Sequence, residues 1–112
     1  SILDIFESNT FELKIDFINS KEFQISLRED CTLSYKNKVF KLELGKSGYG
    51  RDMRAVEIDA VNSIRIFSDN SSLEIFLNDG EEVFSTRIYN DYIDRTLTLI
   101  GEGIVKIEKW NL

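Results

Sequence analysis

The chain has no proline, no histidine, a single cysteine and only six glycines. Each scarcity excludes something. Without histidine, the commonest zinc ligand and the commonest general base are both missing. With Cys31 alone, no internal disulfide can form, and a lone reduced thiol is expected in the cytoplasm. Alternation groups Cys31 with Leu33 and Tyr35 in Cys31-Thr32-Leu33-Ser34-Tyr35. It reads as a small buried apolar residue, since no histidine is present to activate it as a nucleophile. Without proline, no strand loses a ladder donor. No apolar run approaches the ~20 residues of a membrane helix. The opening Ser1-Ile2-Leu3-Asp4 has neither signal-peptide nor presequence character. The only methionine is Met53, so the chain is expected to be a cut or processed piece.

Positive charge is also short. There are 20 acids against 14 bases, a net charge of −6, and no two Lys or Arg residues are adjacent. That argues against nucleic acid and against an anionic membrane as partners. The 112 residues, 42% hydrophobic and 30% charged, fit one ordinary globular domain over residues 1–112.

What is present is a period of two. Phe11, Leu13, Ile15 and Phe17 alternate with Glu12, Lys14 and Asp16; Phe23, Ile25 and Leu27 with Gln24 and Ser26; Phe40, Leu42 and Leu44 with Lys41 and Glu43. The same pattern recurs at Val56–Ile58, Ile64–Ile66, Leu73–Leu77 and Leu97–Leu99. Such segments are half-buried strands, and about ten of them at short spacings predict a sandwich or barrel. Turn residues fall between them at Asn37-Lys38, Asp69-Asn70-Ser71, Asn78-Asp79-Gly80 and Gly101-Glu102-Gly103, with Asp79-Gly80 expected at the tip of a hairpin. Gly45 to Arg54 reads as a mobile loop.

Turn chemistry also predicts register. A turn at Asn70-Ser71 sets Ile66 opposite Ile75 and Arg65 opposite Phe76; one at Asp79-Gly80 sets Phe76 opposite Val83 and Ile75 opposite Phe84. One face of this unit is core. The other mixes Phe67, Phe76, Val83 and Tyr89 with charges, and these four residues form a candidate docking face. Covering by a loop, or cross-strand pairs within the face, would equally account for them.

Catalytic signatures are missing. Glu81-Glu82, Asp91 and Asp94 have no spacing that demands the paired carboxylates of glycoside hydrolysis. Gly45-Lys46-Ser47 lacks the upstream glycine of a phosphate-binding loop. Asn78-Asp79-Gly80 lacks the repeated acids of a calcium loop. Neither a metal nor a cofactor is expected. Tyr35, Tyr49, Tyr89, Tyr92 and Trp110 are the aromatic groups that could stack on a sugar.

The stretch Ile64-Arg65-Ile66-Phe67-Ser68-Asp69-Asn70-Ser71-Ser72-Leu73-Glu74-Ile75-Phe76-Leu77-Asn78-Asp79-Gly80-Glu81, continued by Val83-Phe84-Ser85-Thr86-Arg87-Ile88-Tyr89, resembles the C-terminal β-sandwich of glycoside hydrolase family 32. Lys109-Trp110-Asn111-Leu112 resembles its last strand. The family includes invertases, levanases, inulinases and sucrose-6-phosphate hydrolases. The resemblance implies an all-β fold, a two-sheet antiparallel β-sandwich of lectin-like jelly-roll form. It also implies a catalytic five-bladed propeller preceding the sandwich and packed against it. That propeller would carry a Trp-Met-Asn-Asp-Pro-Asn-Gly-like motif and Arg-Asp-Pro and Glu-Cys motifs, none of which occurs here: Arg51-Asp52 is followed by Met53, and Cys31 is preceded by Asp30. No catalytic residue is carried over. The expectation is a non-catalytic accessory domain of a β-fructofuranosidase of the sucrose-6-phosphate hydrolase kind, inactive alone, partnered by its propeller and open to self-association. The alternative is an independent carbohydrate-binding module of lectin-like fold.

Overall fold

The computed structural model describes residues 2–5, 10–27, 31–45, 53–88 and 96–111. Among them are eleven strands and no helix: β1 (Ile2–Ile5), β2 (Phe11–Phe17), β3 (Glu22–Leu27), β4 (Cys31–Lys36), β5 (Val39–Leu44), β6 (Met53–Glu57), β7 (Ser63–Ser68), β8 (Ser72–Leu77), β9 (Glu82–Arg87), β10 (Thr96–Gly101) and β11 (Ile104–Asn111). They form two antiparallel sheets, one of six strands in the order β1-β10-β3-β4-β5-β6 and one of five in the order β11-β2-β7-β8-β9.

Alternation explains the layering. In β2 the apolar positions Phe11, Leu13, Ile15 and Phe17 are buried and the polar ones between them are half-buried. Paired residues share a face, so Leu99, Ile25, Leu33 and Leu42 form one inward row across the six-stranded sheet. Leu13, Ile66 and Ile75 form another across the five-stranded sheet. Aromatic rings join the layers. Phe17 stacks on Phe23 at 4.5 Å between centroids, and Phe40 meets Phe84 at 5.4 Å. Cys31 is fully buried.

The β7–β8 register is the one turn chemistry predicts, with Ile66 opposite Ile75 and Arg65 opposite Phe76. Phe76 lies opposite Val83 and Ile75 opposite Phe84. Three expectations need correction. Asp79-Gly80 stands at the tip of the β8–β9 hairpin, but in a longer loop than a two-residue turn, between Leu77 and Glu82: Asn78 and Asp79 have φ of 52° and 59°, and the Gly80 amide donates to the Leu77 carbonyl at 3.0 Å. Asn78 supplies the reason, because its side chain ties the turn to its surroundings. Its Oδ1 accepts from the Asn62 amide at 2.6 Å, and its Nδ2 donates to the Ala60 carbonyl and to Glu81. Met53 and Arg54 belong to β6 rather than to a loop, paired with Glu43 and Leu42; residues 46–52 lie outside the described residues. Finally β1, too short to show a period, brings the strands to eleven.

The β10–β11 connection crosses from one sheet to the other. Its glycines are required by packing. A Cβ on Gly101 would sit 2.7 Å from that of Phe23. At Gly103, φ is +73° and a Cβ would run into the Ile18 carbonyl oxygen. The Ile18 amide donates to the Gly103 carbonyl at 2.7 Å, tying this connection to the β2–β3 turn.

Candidate functional site

The two outward faces of the sandwich differ in chemistry. On the five-stranded sheet, Phe67 lies opposite Glu12 on one side and Glu74 on the other, while Phe76 lies between Arg65 and Val83. Phe67 and Phe76 meet edge to face, 5.8 Å between centroids with planes at 86°. Both are half-buried, and Val83 is 50% exposed. Tyr89 lies outside the described residues. On this face Arg65 pairs with Glu12 at 3.4 Å, Lys14 with Asp16 at 3.9 Å and Lys106 with Glu108 at 3.5 Å.

Trp110 joins this face for a reason that periodicity conceals. Ile104 pairs with Phe17 but Lys106 with Asp16, so Val105 is an extra residue, a β-bulge that reverses parity along β11. Beyond it Ile107 turns inward opposite Ile15, and Trp110 turns outward opposite Glu12, 40% exposed.

The outward face of the six-stranded sheet carries a shallow open depression of roughly 830 Å³, lined among others by Gln24, Ser34, Lys41, Glu43 and Ile100. The polar groups among them can donate to and accept from hydroxyls. Among the described residues no aromatic side chain lies open in the depression: Phe23 and Tyr35 touch it but are buried. Tyr35 is a core residue. Its hydroxyl donates to the Ile58 carbonyl at 2.9 Å, and burial, helped by the Asp59 carboxylate, raises its pKa above the usual 10.0. Tyr49 and Tyr92 lie outside the described residues, as do Asp91 and Asp94. Among the described residues no group of three His, Cys, Asp or Glu side chains could hold a metal ion. Glu81 is engaged by Asn78 at 3.0 Å. What the described residues offer a partner is two contrasting outward surfaces.

Comparison with known proteins decides the family. The description "Glycosyl hydrolases family 32 C terminal" matches residues 4–111. The chain belongs to this family. A sucrose-6-phosphate hydrolase of Staphylococcus xylosus is 32% identical over 124 residues, a match covering 96% of this chain and 25% of that protein. Among solved structures, the sucrose-6-phosphate hydrolase of Lactobacillus gasseri superposes with a TM-score of 0.78 at 18% identity, over 99% of this chain and 28% of that one. Sheep galectin-11, solved in complex with glycerol, superposes with a TM-score of 0.70 at 9% identity, over 97% of this chain and 96% of its own. These two likenesses are of fold. The chain spans about a quarter of the length of the two hydrolases. In this family 32 C-terminal domain the two β-sheets described above are the shared architecture.

Proposed function

We propose that this family 32 domain is the non-catalytic accessory part of a β-fructofuranosidase of the sucrose-6-phosphate hydrolase type, supporting a catalytic propeller that precedes it. The observation that carries the reading is the match to a sucrose-6-phosphate hydrolase along 96% of this chain but only a quarter of that protein. The acid-bearing motifs of the catalytic portion are absent from the sequence. In the whole protein, two carboxylates of the propeller would cleave a terminal β-fructofuranosyl bond with retention. A phosphorylated sugar as substrate, with the single cysteine, fits a cytoplasmic location. Sucrose 6-phosphate supplied to the purified 112-residue chain should release no fructose, whereas the parent protein should release it. Turnover by the chain alone, after contaminating enzyme is removed, would sink the reading.

On the same reading, the apolar strip of Phe67, Phe76, Val83 and Tyr89 is a surface for the propeller or for a second subunit. Charge placed there, as in Phe76→Lys, should change the parent protein's solution mass if a second subunit covers it. The alternative, an independent sugar-binding module, is favoured by the open polar depression between Gln24 and Lys41. Titration of the chain with fructose and sucrose separates the two: a module binds alone, a support does not.

A further inference from the structure

β6 is the last strand of the six-stranded sheet and β9 the last of the five-stranded one. The two edges lie close enough for the Arg54 guanidinium of β6 to donate to the Ser85 carbonyl of β9. Register shows where that carbonyl points. The Ile88 amide donates to the Ser71 carbonyl, and bonded and non-bonded pairs alternate along an antiparallel ladder. Glu82, Phe84 and Thr86 therefore turn their backbone groups to β8, and Val83, Ser85 and Arg87 turn theirs to the open edge. Ser85 is the middle one of these three. Arg54 reaches it because it pairs with the buried Leu42, so its side chain starts on the inward face of the outermost strand. The two edges of the five-stranded sheet are defended differently. β11 carries the Val105 bulge, Lys106 and Lys109, features that keep an edge from pairing. β9 runs in unbroken register with β8, has no lysine or proline, and exposes Val83.

We propose that Arg54 guards this edge: its guanidinium occupies the central free carbonyl of β9 and keeps a second copy of the chain from adding its own β9 there. The inference stands apart from the accessory-domain reading. The edge fits a second β9 running antiparallel about Ser85. Edge-facing residues then meet in pairs, Ser85 with Ser85 and Val83 with Arg87, and neither Glu82 nor Arg87 faces its own charge. Parity is kept as well, since Phe84 and Thr86 stay on the inward side of both copies. The bond from Arg54 is charge-assisted and comes from a side chain already in place, so it outcompetes the neutral ladder bond of an arriving strand.

The test is the solution mass of the chain by sedimentation over a concentration series, with amide exchange as the second readout. Arg54→Met keeps the apolar stem and removes the donor. Its apparent mass should rise about twofold with concentration, as a closed pair requires, while the unaltered chain shows no such rise through β9. In the associated state the Val83, Ser85 and Arg87 amides should become protected. Adding Ser85→Pro should return Arg54→Met to the mass of one chain, because the amide it removes faces the open edge and not β8. An Arg54→Met variant that keeps the mass of one chain at every concentration overturns the proposal. So does association that Ser85→Pro leaves untouched and that protects none of the three amides, since the contact then lies on another surface. If Arg54→Met fails to fold, Arg54→Gln, with a side chain too short to span the two edges, is judged by the same readouts.

Discussion

The outward faces of the two sheets are built on the same backbone and treat charge in opposite ways. On the five-stranded sheet, Glu12, Arg65, Lys14 and Asp16 are drawn into ion pairs beside two packed aromatic rings. On the six-stranded sheet, Lys41 and Glu43 make no ion pair among the described residues and stand over a shallow depression. Ring surface accounts for part of the difference. Phe67 and Phe76 shield neighbouring charges from water, which strengthens the attraction between them. The other face sets small polar groups such as Ser26, Thr32 and Ser34 beside its charges, which stay hydrated. A sheet face with self-satisfied charges and half-buried rings is organised before any partner arrives; one with free donors and acceptors is not.

The sharpest way to break this comparison is to cut inside and outside at neighbouring positions of β7. Ile66→Ala removes a fully buried side chain between Leu13 and Ile75 and should cost about 2–5 kcal/mol. Phe67→Ala, one residue on, should cost about 1 kcal/mol, the worth of its edge-to-face pair with Phe76. Equal shifts in the urea midpoint for the two would mean that the outer ring is core.

Gly80→Val comes next, at roughly 1–2 kcal/mol. Gly80 has φ of +111° and open space around it, so the loss is backbone strain without a clash. An unchanged denaturation midpoint would show that the turn relaxes.

Tyr35→Phe tests the interior of the six-stranded sheet. Losing the hydroxyl leaves the Ile58 carbonyl without its side-chain donor, about 1 kcal/mol below pH 10. The pH dependence has a definite sign. A tyrosine whose pKa is raised on folding holds its proton more tightly in the folded state. Its contribution is complete below the unfolded value of 10.0 and is lost as pH rises through the raised value. Wild type should therefore lose stability above pH 10.0 faster than Tyr35→Phe, measured by urea midpoints across that range.

The smallest effect compares the charges directly. Glu12→Gln breaks the pair with Arg65 and should cost roughly 0.2–1 kcal/mol, less at high salt. Lys41→Ala should stay within about 0.5 kcal/mol. A larger loss at Lys41 would mean that its face is organised after all.

By itself the sequence determined most of the strands, the inward residues of those that alternate and the β7–β8–β9 register, because alternation and turn residues act within a few positions along the chain. The motif from Ile64 to Tyr89 carried the resemblance to the family that the match over residues 4–111 shows. Phe67, Phe76 and Val83 were legible as an outward group for the same local reason. Strand order was not legible: β10 lies between β1 and β3, and β2 between β7 and β11, although these partners are far apart in the chain. Ladder hydrogen bonds are alike for any pair of strands, so only the mutual fit of side chains across the two layers selects among pairings. The outward turn of Trp110 was decided the same way. The extra residue Val105 fits in only because β11 pairs with β2 in that register, and no periodicity within β11 announces it.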